Sequence, residues 1–284
     1  GSDDAPAERN SVYQLSLETL QWTCHSFNNV ASKKKKSNAL PVVPPPARRD
    51  HTAIMYKNQM YIFGGCSSLS SSVAAPSAAV ASSSTKQYFN DLVIWDCTTQ
   101  TFVRKHHSGD VPPPLSGHSA VLDRREKCMI VYGGVTNTGA YNNNIYRLYF
   151  ENNMKWLKVN AGALPIINNN AKNEKWREKG REAHNAVMAT PQKMLVLGGW
   201  QEAHGPVSSA FEYHIETATL NPVQFEFTGK TTSEEAVNSA LERFGAAIVQ
   251  DEQVNQTIYV IGGRNAKFEG FSDELTMLAL KRTK

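Results

Sequence analysis

Residues Met60–Gly65 read MYIFGG, an apolar run of strong β propensity that stops on two glycines. Glycine tolerates positive φ and close backbone approach, so one such ending would be an ordinary strand running into a turn. The ending returns as MIVYGG to Gly134, MLVLGG to Gly199 and IYVIGG to Gly263. The second glycines stand at 65, 134, 199 and 263, in steps of 69, 65 and 64 residues. Self-similarity at a fixed period governs the whole fold, so the repeat takes precedence over any local pattern.

Each unit has the same order of parts. A short β-like run precedes the doublet: HTAIMY, HSAVLD, HNAVMA and GAAIVQ. After it come a polar loop, a third run and a last run carrying a large apolar residue. The last two keep their spacing: Leu15 to Trp22, Trp95 to Phe102 and Tyr213 to Leu220 are seven apart, and Leu148 to Trp156 is eight. Four short strands per unit suit a four-stranded antiparallel sheet. Several such sheets bury both faces by packing radially as a β-propeller, with the large outer-strand residue filling the widening gap between neighbours.

The elements ARRDHTAIMYKNQMYIFGG, NDLVIWDCTTQTF and NNNIYRLYFENNMKW resemble kelch repeats, whose pattern is R-x-x-H, an apolar strand, Gly-Gly and a spaced aromatic pair. The resemblance covers roughly residues 11 to 280 and departs from the pattern twice. Leu115 replaces the arginine in the second unit, and Ala246 replaces the histidine in the fourth. The fold class expected is all-β, a kelch-type β-propeller over 11–284 with about five blades represented. Residues 1–10 read as a tag remnant and flexible N-terminus. The strand count does not close, with five third strands against four outer ones: either the N-terminal strand around Trp22 completes the last blade, where VYQLSL then competes with ELTMLAL for one position, or the terminal blades are incomplete and the chain is part of a longer propeller.

The period exceeds the ~50 residues typical of kelch repeats, which implies insertions. One is the low-complexity SSLSSSVAAPSAAVASSS, which cannot bury a core. Another link carries Thr232 and Glu235 at capping-box spacing before a short helical pattern.

Lysine and arginine number 30 against 26 aspartates and glutamates, and the run Lys33–Lys36 equals the whole excess of +4. A nucleic-acid partner calls for a basic stripe rather than one knot in a loop. Four scattered cysteines without metal-ligand spacing read as free thiols. No apolar run reaches the ~20 residues of a membrane span, and no leader pattern is visible. The expected location is cytoplasmic or nuclear, with no nucleic acid and no membrane as partner.

His51, His118 and His184 recur at one repeat position and read as braces of their own strands, so no metal and no cofactor is expected. Arg48, Arg181 and Arg243 open the first strands, and guanidinium forks suit carboxylates. The kelch resemblance implies that arginines there meet acidic partner segments; the other reading is a structural arginine bonding neighbouring carbonyls. Trp200 and Arg264 directly follow doublets and belong to residue types that dominate interaction hot spots. Tyr141, His204 and Phe268 belong to the same loops. These eight residues are the candidate partner-binding set.

No P-loop, G-x-S-x-G or H-E-x-x-H occurs, and no catalytic residue is assigned. An iron-type E-x-x-x-D-x-x-x-H fails because Met277 follows Glu269 and Asp273. The expected function is a non-catalytic protein-interaction module. The alternatives are a regulatory or targeting domain of a larger enzyme, such as a kelch-containing Ser/Thr phosphatase, and a metal-dependent kelch enzyme.

Overall fold

The computed structural model describes residues 11–26, 44–68, 86–161, 178–201, 204–223, 242, 244–250, 257–264 and 275–279. The tag reading of 1–10, the lysine run, all of the Ser/Ala-rich insertion but Ser67 and Ser68, the capping-box helix, Arg243 and Phe268 lie outside them.

The N-terminal hairpin is β1 (Ser11–Leu15) and β2 (Trp22–Ser26). The first full unit comprises β3 (Thr52–Tyr56), β4 (Gln59–Phe63), β5 (Cys66–Ser68), β6 (Lys86–Tyr88), β7 (Leu92–Asp96) and β8 (Thr101–Val103). The second comprises β9 (Ser108–Gly109), β10 (Ser116–Asp123), β11 (Cys128–Val135), β12 (Ile145–Tyr149) and β13 (Lys155–Val159). The third comprises β14 (Asn185–Thr190), β15 (Lys193–Leu197), β16 (Trp200–Gln201), β17 (Gly205–Pro206), β18 (Ala210–His214) and β19 (Thr219–Val223). The fourth comprises β20 (Ala247–Gln250), β21 (Thr257–Ile261) and β22 (Leu275–Ala279).

The first and third units form antiparallel four-stranded sheets, in the orders β3-β4-β7-β8 and β14-β15-β18-β19. The second adds β9 alongside β13 in parallel, a strand the repeat pattern does not announce. The fourth has three strands among the described residues.

The aromatic spacing translates directly into register. Leu15 lies opposite Trp22, Trp95 opposite Phe102, Leu148 opposite Trp156 and Tyr213 opposite Leu220. In every one of these hairpins the residue two before the outer partner takes positive φ: Leu20, Gln100, Met154 and Ala218, at 54°, 54°, 53° and 49°. The eight-residue spacing of the second unit comes from one added loop residue, and Asn153 there also takes positive φ.

Strands β3, β10, β14 and β20 are neighbours in that order. A chain of backbone hydrogen bonds joins their leading turns: the N–H groups of Gly117, Ala183 and Gly245 donate to the carbonyls of Asp50, Gly117 and Ala183 at 3.0, 2.8 and 2.8 Å. All four residues have positive φ. The described sheets form an open row, with no comparable contact between β20 and β3. Among the described residues the hairpin β1-β2 pairs with no other strand, so β1, from VYQLSL, and β22, from ELTMLAL, belong to separate sheets.

Three apolar clusters fill the seams. Ile54, Tyr61, Phe63 and Ile94 meet Met129, Leu148 and Trp156 between the first two sheets. Ile130, Tyr132 and Ile145 meet Val196, Phe211, Tyr213 and Leu220 between the second and third. Leu195 and Leu197 meet Ile258 and Val260 at the last seam. Alternate residues of one strand serve opposite seams, as the two-residue period requires.

The glycine doublets are where successive units lock. A Cβ on Gly133 would stand 2.4 Å from His184 Cε1, and one on Gly64 would stand 2.8 Å from His118 Cε1. The second glycine of each doublet faces its own unit: Gly65 lies under His51, Gly134 under His118 and Gly199 under His184. The histidines thus brace the preceding unit as well as their own. His118 Nε2 is 2.9 Å from Thr52 Oγ1, and His184 Nε2 is 2.7 Å from Ser119 Oγ.

Candidate interaction surface

The first and second positions of R-x-x-H have opposite fates. Arg48 turns inward, its side chain 5% exposed, with a bidentate pair to Asp91 at 2.6 and 2.9 Å. It donates to the Gly64 carbonyl and lies over the Phe89 ring. Arg181 is 1% exposed, pairs with Glu178 at 2.7 Å and donates to the carbonyls of Gly198 and Ser209. Both guanidinium groups are braces inside the protein, which corrects the expectation that they meet a partner. A fork with five donors satisfies carbonyls that a crowded strand end leaves without ladder partners.

The second unit shows what that bond is for. With Leu115 fully buried in the arginine's place, Asn142 Nδ2 donates to the Gly133 carbonyl at 3.0 Å. The first doublet carbonyl is therefore satisfied in each of the first three units, by Arg48, Asn142 and Arg181. The main chain at Leu115 keeps its own task, accepting the Gly65 N–H at 2.8 Å as Arg181 accepts that of Gly134.

The second position pairs with a residue following the doublet of its own unit. Bridges join Arg49 to Cys66, Glu182 to Trp200 and Phe244 to Arg264, and Ser116 pairs with Val135. These pairs lie beside the hydrogen-bonded leading turns, so they gather at one end of the row of sheets. The long loops start there, with β5-β6 and β16-β17 as stems.

Three expected residues come together around Glu182 and Phe244. Tyr141 donates its hydroxyl to Glu182 Oε1 at 3.1 Å. Trp200 is partly exposed and meets Phe244 edge-on, with ring centroids 5.3 Å apart. Arg264 is exposed and exchanges both backbone hydrogen bonds with Phe244. His204 is exposed in the turn beyond Trp200, where its N–H donates to the Gln201 carbonyl. Glu182, Phe244, Arg49 and Asp50 belong to this end but were not singled out from sequence. Their signal was available, since each occupies a middle position of R-x-x-H, between the two residues that define the motif.

Burial raises the Glu182 carboxyl from its ordinary value, and the charge of Asp50 adds to this, against the Tyr141 hydrogen bond and Lys86. Burial likewise raises Tyr88. Arg49 is engaged by Asp50 at 3.4 Å and by Ser68 at 3.2 Å. Cys66 is buried and accepts from the Ser116 hydroxyl at 3.3 Å. Among the described residues no group of three or more His, Cys, Asp and Glu is placed to hold a metal. All four cysteines are free thiols, Cys66 and Cys128 buried and Cys24 and Cys97 exposed.

A family model described as the KLHDC2/KLHL20/DRC7 Kelch-repeats domain matches residues 77–273. No curated protein matches the chain.

Proposed function

The chain belongs to the kelch-repeat family, and on that premise we propose that it is a non-catalytic module that binds a partner protein through the loops following its glycine doublets. Kelch-repeat domains are generally protein-interaction modules and are typically non-catalytic. The observation carrying this reading is the division of labour within R-x-x-H. Arg48 and Arg181 at the first position and His118 and His184 at the fourth are committed to bonds inside the protein, while Arg49, Glu182, Phe244, Trp200 and Arg264 form a mixed aromatic and charged surface at one end. Exposed aromatic and arginine side chains on loops held by a rigid scaffold are the usual material of recognition.

The double variant Arg264→Glu, His204→Glu should lose at least one protein captured by the parent in quantitative affinity purification, with an unchanged unfolding midpoint. A control at the surface pair Arg125 and Glu216, Arg125→Ala, should capture the parental set. Identical capture by all three proteins would overturn the reading.

A further inference from the structure

Most partly or fully buried carboxylates in the described residues have a visible counter-charge or backbone donors. Glu178 has Arg181, Asp91 has Arg48 and Glu212 has Lys193. Asp123 accepts the N–H groups of Arg125 and Glu126. Glu182 differs. It is half-buried at the loop end, its hydrogen-bond donor is the Tyr141 hydroxyl, and among the described residues it forms no ion pair.

Its surroundings are aromatic. Glu182 exchanges backbone hydrogen bonds with Trp200 at 3.0 and 2.9 Å, and Trp200 packs against Phe244. Gly117 lies beneath, where an added Cβ would come 3.3 Å from Glu182 Oε2. Of the charges acting on it, Asp50 disfavours and Lys86 favours the carboxylate, and Arg49 is engaged by Asp50 and Ser68. A carboxylate beside aromatic side chains, with no ion pair among the described residues, suits a lysine or arginine, which gains an ion pair together with the attraction of a cation for an aromatic face.

We infer that the patch of Glu182, Tyr141, Trp200 and Phe244 receives a cationic side chain, arginine or lysine, from a partner protein. This rests on the interaction reading above and reverses the acidic partner segment expected from the sequence, because two of the arginines that suggested it are turned inward. The patch draws on three consecutive units: Tyr141 from the second, Glu182 and Trp200 from the third, and Phe244 from the fourth.

The test uses the full chain and acetylated seven-residue Gly/Ser peptides with a central Arg, Lys, Glu or Leu, measured by titration up to millimolar peptide. The Arg and Lys peptides should bind, and the Glu and Leu peptides should not. Glu182→Gln, which retains an acceptor for Tyr141, should weaken the Arg peptide about tenfold with an unchanged unfolding midpoint, while Lys86→Gln should leave binding equal or tighter. Preference for the Glu peptide, an Arg peptide indifferent to Glu182→Gln, or no binding of the cationic peptides overturns the inference. Each of those results leaves the interaction reading standing, since that reading fails on protein capture instead.

Discussion

The seam between the second and third sheets and the outward face of the first sheet carry the same motif residues under opposite conditions. At the seam, His184 is buried over Gly133, and Tyr132 meets both His184 and Phe211 edge-on. On the outward side, His51 is exposed, as are Met55 of β3 and Trp22 of β2, at 49% and 67%. Trp156 occupies the repeat position of Trp22 and is fully buried. The hairpin reaches the first sheet through His25 against Trp95, at 5.5 Å between ring centroids. The expected gap-filling role of the large outer-strand residue thus holds at Trp156 and Leu220 and not at Trp22. A repeat residue acquires its energetic role from the sheet beside it, because burial needs two surfaces.

The largest effect should come from forcing the seam apart. At Gly133, with φ of +73°, a new side chain would meet both His184 and the Arg181 carbonyl, at 2.4 and 2.6 Å. Gly133→Val should lose more than ~4 kcal/mol in urea unfolding, or fail to fold. Gly139→Ala has positive φ and nothing within 4 Å of its Cβ, so it should lose only ~1 kcal/mol. Equal stability of the two variants would break the comparison.

Next in size is the tryptophan pair. Trp156→Ala should cost about 3–5 kcal/mol, the range for emptying an aromatic site in a core. Trp22→Ala should cost about 1 kcal/mol or less, because most of its surface already meets water. A Trp22→Ala loss matching that of Trp156→Ala would show that the hairpin is covered in solution.

The smallest effect per step is a pH dependence. Burial depresses His118 to about 3 from an ordinary value of 6.5, and His184 is lowered well below it by burial, with Arg181 adding. Both are neutral in the folded state, so their contribution is complete above pH 6.5. It declines as pH falls from there, because the unfolded chain takes up protons first. For His118 the decline runs towards pH 3, with each pH unit well inside the window removing up to ~1.4 kcal/mol. His118→Gln should flatten the unfolding midpoint's slope over that range. His51, exposed on the outward side and lowered by partial desolvation and by Arg48, should give a smaller change in slope when replaced by glutamine.

Much of the architecture was readable because it repeats. The doublets, the strand order and the Trp95–Phe102, Leu148–Trp156 and Tyr213–Leu220 register follow from spacing, since a strand pair with a fixed turn admits one register. The candidate site was less readable, for reasons visible at particular residues. Arg48 and Glu182 stand in the same motif as charged residues near a loop. Nothing local reveals that the first meets Asp91, 43 positions away, while the second meets a hydroxyl from the preceding unit. Asn142 gives no sign in sequence that it replaces a missing arginine, because the shared acceptor is a backbone carbonyl. The parallel strand β9 is equally silent, with two residues, Ser108 and Gly109, too few to show a period.

The sequence by itself determined the repeat, the four-strand grammar, the glycine positions and which strands pair, all of which depend on local propensity and short spacing. The tertiary structure decided which histidines and aromatics are buried, that Arg48 and Arg181 serve as braces, and that Glu182 and Phe244 flank Trp200. Histidine and aromatic burial and the Trp200–Phe244 contact depend on the neighbouring unit, and Arg48 depends on Asp91, far along the chain in its own unit. A side chain's burial and hydrogen-bond partners are properties of two surfaces brought together, and one unit's sequence specifies only its own.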